Sequence, residues 1–516
     1  MAHSSGFKFD AIAPRSKFYQ GPFGRICPEL APWEPEGTIK EQDAYFLQFA
    51  RENMVERPGL DPAEIAGDNS IIAELDQEFG SQVPAGYTYF GQFIDHDITF
   101  DPTALMMRRT DPNGLLNFRT PRLDLDCVYG RGPSDQPYLY DNHPDRKGKF
   151  LIGKVVDPDD PDIELRDLPR NSQGRALIGD MRNDENSMVS QLQLAFLLAH
   201  NELVDRAEAA GMSDAFGAAQ RTLRWLYQHI VWNDFLRRIT ADQVYKAALK
   251  LVDTPDGRKT WKLGLKDVYN WKHQPFMPVE FAGAAYRFGH SMVRNSYQTN
   301  HPHRGFGSFA PIFDNTTDPR PEEDDIDDLR GFRRMKKENV IQWDWFLPMT
   351  SSQGPFPQLA RKIDTKLANA LLHLHEGGAG VADNVLAFRN LKRGVMMGLP
   401  SGLAMADKFC IRKAALQEGD PESLWFYLLK EAETVPGANR GQMLGRMGSV
   451  IVCAVFAGLL KGDPCSYVNV DPCWTPNDDP LLRSGEDNVD DDSWTLASII
   501  RLSGLPVDTG DVEEQS

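Results

Sequence analysis

Tyr87-Thr-Tyr-Phe-Gly-Gln-Phe-Ile-Asp-His-Asp97 is the stretch on which the reading of the chain turns. His96 stands between two carboxylates, and Gln92 precedes it by one helical turn. On a helix Gln92 and His96 share a face, while Asp95 and Asp97 are rotated about 100° to either side. Polar groups in an otherwise apolar, aromatic run therefore leave the helix in three directions. If the run is buried, each of them needs a partner. Alone, an Asp-His-Asp triplet is equally consistent with an exposed helix end, so the rest of the sequence has to decide.

The chain has 516 residues, 41% hydrophobic and 25% charged, which is ordinary for a globular protein with a large core. Length alone suggests about three domains. The formal charge is −18, from 74 acidic and 56 basic residues. That balance excludes a general nucleic-acid binder and a basic membrane-surface protein. The first residues lack the apolar core of an export signal. The longest apolar run, Val450–Leu460, is too short to span a bilayer. The expectation is a soluble protein, either cytoplasmic or exported without a signal. The 6 cysteines contain no CxxC pair, so a disulfide scaffold is not indicated; Cys465 and Cys473 could pair or remain thiols.

Outward from the opening stretch, apolar periodicity predicts helices over 41–56, 70–80, 187–209, 217–238, 278–294, 358–375, 404–417, 421–431, 440–461 and 493–503. No alternating strand pattern persists, so the class is mainly α. Residues 1–40 read as an extended arm, 41–505 as the body and 506–516 as an acidic tail. Residues 101–175 are rich in Pro, Asp, Gly and Arg, an irregular excursion that something other than a core must hold. Within it, Thr120-Pro-Arg-Leu-Asp124-Leu-Asp126 alternates oxygen-bearing side chains, the donor type a hard cation such as Ca²⁺ needs. The acidic run 317–328 reads as a solvated loop, Met396 and Met397 as core, and His200, His229 and His273 as structural or surface groups. His373 and His375, two apart on the helix expected there, point to different faces and make a poor metal pair.

Four segments now stand in order: Gly91-Gln-Phe-Ile-Asp-His-Asp97, Arg182-Asn-Asp-Glu185, Phe288-Gly-His290, and Asn390-Leu-Lys-Arg393 followed by Gly398-Leu-Pro400. Together they resemble the animal haem peroxidases of the peroxidase–cyclooxygenase superfamily, over roughly residues 40–505. The resemblance implies one large, mainly helical domain around a haem, which discounts the three-domain prior. It implies that His96 is the distal histidine, Arg182 the distal arginine and Gln92 a pocket residue. His290 would be the axial ligand of the haem iron, Asn390 the group behind it, and Arg393 a partner of a haem propionate. Asp97, Thr120, Asp124 and Asp126 match calcium positions, with Arg122 supplying its carbonyl. Asp95 and Glu185 match carboxylates that some members ester-link to haem b. Asn186, lacking a thioether, excludes the sulfonium link of other members.

The implied chemistry suits these residue types. A histidine with an ordinary pKa near 6.5 can take a proton from peroxide and return it to the leaving oxygen. A fixed guanidinium stabilises the charge that builds there. The expected function is a peroxidase that reduces hydrogen peroxide through a ferryl intermediate and oxidises a halide, a pseudohalide or a small aromatic donor. A fatty-acid oxygenase of the same superfamily is the second expectation. Its members resemble one another in a tyrosine three residues before the proximal histidine; here Arg287 stands there, and Tyr286 would be rotated about 100° away on a helix. A haem-bearing adhesion module is the third, disfavoured because adhesion has no use for His96 and Arg182.

Overall fold

The computed structural model describes residues 21–100, 116–271, 274–313, 327–349, 357–374, 384–488 and 493–506. Residues 1–20 of the expected arm, 101–115, most of the acidic run, His273, His375 and all but the first residue of the tail lie outside them.

The architecture is mainly helical. Helix α1 (Ile39–Asn53) starts at a capping box in which Thr38 and Glu41 satisfy each other's backbone N–H. Helix α2 (Asn69–Phe79) starts on Asp68, whose carboxylate accepts from the N–H groups of Ser70 and Ile71. Strand β1 (Gly80–Pro84) then leads directly into α3 (Gly86–Ile98), the opening stretch. No side chain caps α3. Its first residue is Gly86 because a Cβ there would lie 2.8 Å from the Phe346 carbonyl oxygen, to which Gly86 donates.

Helix α4 (Ser187–Ala209) is the central post, capped by Asn186, whose side chain accepts from Val189. Most of its residues are buried on every face, the polar Gln191, Gln193, His200 and Asn201 among them, as befits an internal rather than a surface helix. Helices α3, α5 (Ala215–Ile230) and α11 (Leu496–Ser503) pack against it. The chain continues from α5 through a π-helical turn, Val231–Phe235. The hairpin of β2 (Leu249–Asp253) and β3 (Lys259–Leu263) follows, then the short α6 (Val279–Gly283). Strand β4 (Leu359–Arg361), α7 (Leu386–Met396), α8 (Gly402–Lys408), α9 (Leu424–Glu433) and α10 (Arg446–Gly462) complete the body. No helix among the described residues is long and apolar enough to cross a membrane.

Three expected helices fail, each for a local reason. The pattern over 278–294 breaks at Ala284 (φ −137°, ψ −68°), and Ala285–Met292 is 3₁₀. Residues 358–374 form no α-helix, only the 3₁₀ turn Asn369–Leu372; β4 pairs antiparallel with β1, Leu359 against Pro84 and Arg361 against Gly80. Tertiary pairing overrides propensity there because Arg361 is buried and donates to Glu56 at 2.6 Å. Helix 404–417 stops at Lys408, with Cys410 at φ 52°. The described part of 101–175 is irregular as expected, with only short elements. Met396 and Met397 are core. All six cysteines are thiols.

Candidate functional site

A cavity of about 540 Å³ lies between α3 and the 3₁₀ segment Ala285–Met292. Cofactor pockets fall in the range of roughly 300–1,000 Å³. His96, Gln92 and Asp95 line it from α3; Arg182 and Glu185 from the loop before α4; Arg287 and His290 from the 3₁₀ segment; Arg393 from α7. Residues far apart in sequence are thus gathered on one space, with two histidines on its opposing walls. The helical period divides α3 as the sequence predicts. Gln92, Asp95 and His96 reach the cavity, while Asp97 is fully buried on the other side.

The polar groups of α3 find partners one by one. His96 Nδ1 lies 2.7 Å from Asn183 Oδ1. Asn183 Nδ2 donates to Gln193 Oε1 at 2.7 Å, so its oxygen is the atom that faces the ring. His96 therefore donates through Nδ1 and carries its lone pair on Nε2, on the cavity side. Burial, then the Arg182 charge, lower its pKa from 6.5 to about 4. Gln92 donates to Glu185 Oε2 at 2.6 Å and accepts from Asn186 at 3.0 Å. That oxygen of Glu185 is 3.8 Å from His96 Nε2, beyond hydrogen-bond reach. Asp95 accepts from Thr99 Oγ1 at 2.9 Å and faces Arg287 at 3.3 Å. Burial pushes its carboxyl up, but Arg287, His96 and Arg182 outweigh burial and hold it below the usual value.

Arg182 is immobilised. Its Nε donates to Asp180 at 3.1 Å, and Nη2 donates to Asp180, to the His96 carbonyl and to the Thr99 carbonyl at 2.7, 3.0 and 2.7 Å. Its plane lies 4.7 Å from the Phe100 ring centroid. Nη1 makes no hydrogen bond with the described residues. Asp180 is shared with Arg119, which also reaches Asp126 at 3.3 Å. Burial disfavours the Asp180 charge, but Arg182 and Arg119 prevail and keep the carboxyl well below its ordinary range.

On the opposite wall, burial followed by Arg287 and Arg393 lower His290 to about 3, so its ring is neutral. Nδ1 lies 2.7 Å from Asn390 Nδ2, and Asn390 Oδ1 accepts from Arg393 Nη1 at 2.8 Å. In this arrangement the amide nitrogen of Asn390, not its oxygen, faces the ring. The guanidinium of Arg393 claims that oxygen and turns the amide. Nε2 of His290 has no hydrogen-bond partner among the described residues. Arg287 reaches the cavity because a 3₁₀ helix has three residues per turn, which aligns it with His290. Tyr286 also lines the cavity, contrary to the expectation for an α-helix. Its hydroxyl is buried and makes no hydrogen bond.

Behind α3, carboxylate oxygens of Asp97, Asp124 and Asp126 lie within 4.8 Å of one another. Asp97 Oδ1 is buried without a hydrogen bond, and Thr120 Oγ1 donates to Asp124 at 2.9 Å. Leu125 turns the loop at φ 58° and donates its N–H to Asp97 at 3.2 Å. Crowded, buried carboxylates with an unsatisfied oxygen fit a hard cation. The Arg122 side chain is buried 3.9 Å from Asp463.

The cavity fits a haem on its own chemistry: a neutral imidazole with an uncommitted nitrogen, apolar walls including Phe235, Ile312 and Leu386, and six arginines among its lining residues to meet a dianionic group. Sequence reading missed Asn183, Asp180 and Arg119. Asp180 had a signal, since an aspartate two residues before an arginine caps the short helix Met181–Asp184. Asn183 and Arg119 had none, because their partners are set by tertiary packing.

Residues 105–342 match the family model of the animal haem peroxidases. The match begins beyond His96 and ends before Asn390, so it includes the 120–126 loop, Arg182, Glu185 and His290 but neither the α3 residues nor Asn390 and Arg393. The chain is 26% identical to a peroxidase-like protein of Margaritifera margaritifera, over 40% of this chain and 31% of that protein. It is 27% identical to the chorion peroxidase of Drosophila melanogaster, over 45% and 26%. The matches thus span about a third of the length of these relatives. In fold it is similar to peroxidase A of Dictyostelium discoideum, with a TM-score of 0.54, 15% identity and 88% of this chain against 91% of that one. It is also similar to a fatty acid alpha-dioxygenase of Oryza sativa, with a TM-score of 0.51, 14% identity, 84% and 74%. A helical body with histidines on opposing walls of one cavity defines the class as a haem-pocket protein. Residues 105–342 thus match the animal haem peroxidases, a family whose name implies a haem cofactor.

Proposed function

We propose that this protein is a haem-dependent peroxidase that reduces hydrogen peroxide and oxidises a halide, a pseudohalide or a small aromatic donor. The observation that carries this reading is the pair of uncommitted atoms on one wall, His96 Nε2 and Arg182 Nη1, across the cavity from the uncommitted Nε2 of His290. Bound haem b supplies the iron at which the O–O bond of peroxide breaks. His290 would hold that iron through Nε2. For this its Nδ1 must carry the proton, so the Asn390 amide turns to present its oxygen, and Arg393 Nη1 is released to a haem carboxylate.

His96 Nε2 would take a proton from one oxygen of hydrogen peroxide and return it to the other, which leaves as water. Asn183 keeps the tautomer that permits both transfers. Arg182 Nη1 meets the charge on the departing oxygen, held in place beforehand by Asp180 and two carbonyls. Asp97, Asp124 and Asp126, with the Thr120 hydroxyl and the Arg122 carbonyl, would hold Ca²⁺ and pin the residue next to His96. Asp95 and Glu185 would form ester links to haem, a reading supported by their lining the same cavity. The test is stopped-flow spectroscopy of haem-loaded protein with peroxide. His96→Ala and Arg182→Ala should slow the spectral change by about 10²–10⁴-fold with haem content unchanged. Wild-type rates in both would refute the role.

A second reading is supported by Tyr286. Its buried, unpartnered phenol on the cavity wall suits a fatty-acid oxygenase, in which an oxidised tyrosine abstracts hydrogen from the substrate chain. Oxygen uptake with a long-chain fatty acid, abolished by Tyr286→Phe, would favour it over the peroxidase; no uptake would leave the peroxidase reading alone.

A further inference from the structure

The cavity has a wall that peroxide cleavage does not use. Arg330, Gly331, Phe332 and Arg333 line the same space as His96 and Arg182. Their backbone is fastened to the loop that carries Arg182 and Glu185. Asn186 and Arg330 form an antiparallel bridge. Gly331 N–H donates to the Glu185 carbonyl at 2.9 Å, Phe332 N–H to that of Asp184 at 2.6 Å, and Ser187 N–H to that of Leu329 at 2.9 Å. A Cβ at position 331 would stand 1.7 Å from the Asp184 oxygen, so only glycine permits this approach.

That anchoring forces Phe332 to φ 58°, the left-handed region that bulky residues avoid. Its ring is 51% exposed, so the strain is not repaid by burial in the core. Backbone outliers of this kind cluster at ligand clamps. Arg330 and Arg333 flank the ring, and both donate to the carboxylate of the buried Asp328, Arg333 at 2.7 Å. Two guanidiniums are thereby held in fixed orientation at the cavity edge. The whole lining has six arginines against the carboxylates of Asp95 and Glu185. At this edge two guanidiniums, Arg330 and Arg333, meet the single carboxylate of Asp328. A cationic wall in a chain of net charge −18 is a local feature that selects its ligand by charge.

We infer that Arg330, Phe332 and Arg333 form a donor subsite, and that the preferred donor is an aromatic ring bearing a carboxylate. The ring stacks on Phe332 and the carboxylate meets the flanking guanidiniums, while the fastening to the 184–187 loop holds the donor beside the distal residues. This deepens the proposed peroxidase function and rests on it.

The experiment is calorimetric binding to haem-loaded protein without peroxide, using 4-hydroxybenzoate, its neutral amide 4-hydroxybenzamide, and cyclohexanecarboxylate. The acid should bind at least about tenfold tighter than either control, and its advantage over the amide should shrink with added salt. Arg330→Gln with Arg333→Gln should erase the advantage over the amide. Because those arginines also partner Asp328, Phe332→Gly serves as the second variant: it relieves the φ strain, so the protein stays folded, and it should erase the advantage over cyclohexanecarboxylate. Equal binding of acid and amide to the wild type overturns the subsite. Turnover of neutral phenols with peroxide is read in parallel. Equal binding with good turnover sinks the subsite and leaves the peroxidase. Tight acid binding with no turnover of any phenol sinks the peroxidase, and with it the donor role.

Discussion

Asn183 Oδ1 accepts the Nδ1 hydrogen of His96 at 2.7 Å, and Gln193 fixes the amide that does so. The bond decides which ring nitrogen faces the cavity. Asn183→Leu leaves the Nδ1–H without a partner in a buried site, a penalty of about 1–3 kcal/mol, and lets the ring invert its tautomer. The reaction with peroxide should slow at least about tenfold while haem content holds. An unchanged rate would show that the ring is oriented by packing alone.

The second prediction concerns pH. Burial and Arg182 depress His96 to about 4, so it stays a competent base well into acid. The rate of peroxide reaction should be flat from neutral pH downward and reach half its plateau near pH 4, not near 6.5. For stability the sign is the same: His96 and His290 contribute fully above pH 6.5, and the contribution is lost as pH falls through about 4 and about 3. Asp364, raised by burial to about 7, acts in the opposite sense. The kinetic midpoint therefore isolates His96 better than a melting curve does, and a midpoint at 6.5 would remove the claim.

Calcium removal should show a crossed sign. With Ca²⁺ bound, Asp124→Ala should lower the melting temperature and the calcium content measured by elemental analysis. In chelator the same substitution should raise the melting temperature, because it removes one of the carboxylates that crowd within 4.8 Å. Identical shifts in both buffers would refute a cation at this place.

Arg119 links that acidic cluster to the distal arginine, touching Asp126 on one side and Asp180 on the other. Arg119→Gln should leave haem bound but loosen the Asp180 anchor of Arg182. Cyanide binding to the ferric protein should weaken several-fold, and the wild-type protein should lose the same affinity on calcium removal. If chelation and Arg119→Gln act additively, the two are not in one network.

His290→Ala provides the last check. Haem content and the Soret band should collapse, whereas Asn390→Leu should retain haem with an altered spectrum. Full haem with an unchanged spectrum in His290→Ala would place the iron elsewhere.

Much of the site was legible because its parts are short and local. One helical period assigns Gln92 and His96 to the cavity and Asp97 to the far side, and α3 obeys it. Residues 187–209 were fixed by apolar periodicity, and α4 has those bounds. What failed depends on partners elsewhere. Nothing near Leu359 announces that it will lie against Pro84. The break at Ala284 directly follows Gly283, but a lone glycine does not announce the 3₁₀ spacing that brings Arg287 and Tyr286 to the cavity. The Asn390 amide is turned by Arg393, one helical turn away, a choice that side-chain hydrogen bonding makes only once both are buried.

The pairing of β1 with β4 also governs how the molecule is assembled. Strand β1 runs straight into the helix that carries His96, and its partner is synthesised only after the whole segment from Pro84 to Leu359. Closing so long a loop is entropically dear and slow to search, even though each doubling of length adds only about 0.6 kcal/mol. On a ribosome, α3 waits without its edge until most of the chain has emerged. Neither wall is complete before then, because the wall bearing His290 still needs Asn390 and Arg393 of α7. Haem capture is therefore a late event in the life of the polypeptide, and a chain released before residue 361 should fail to retain haem even though it contains both histidines.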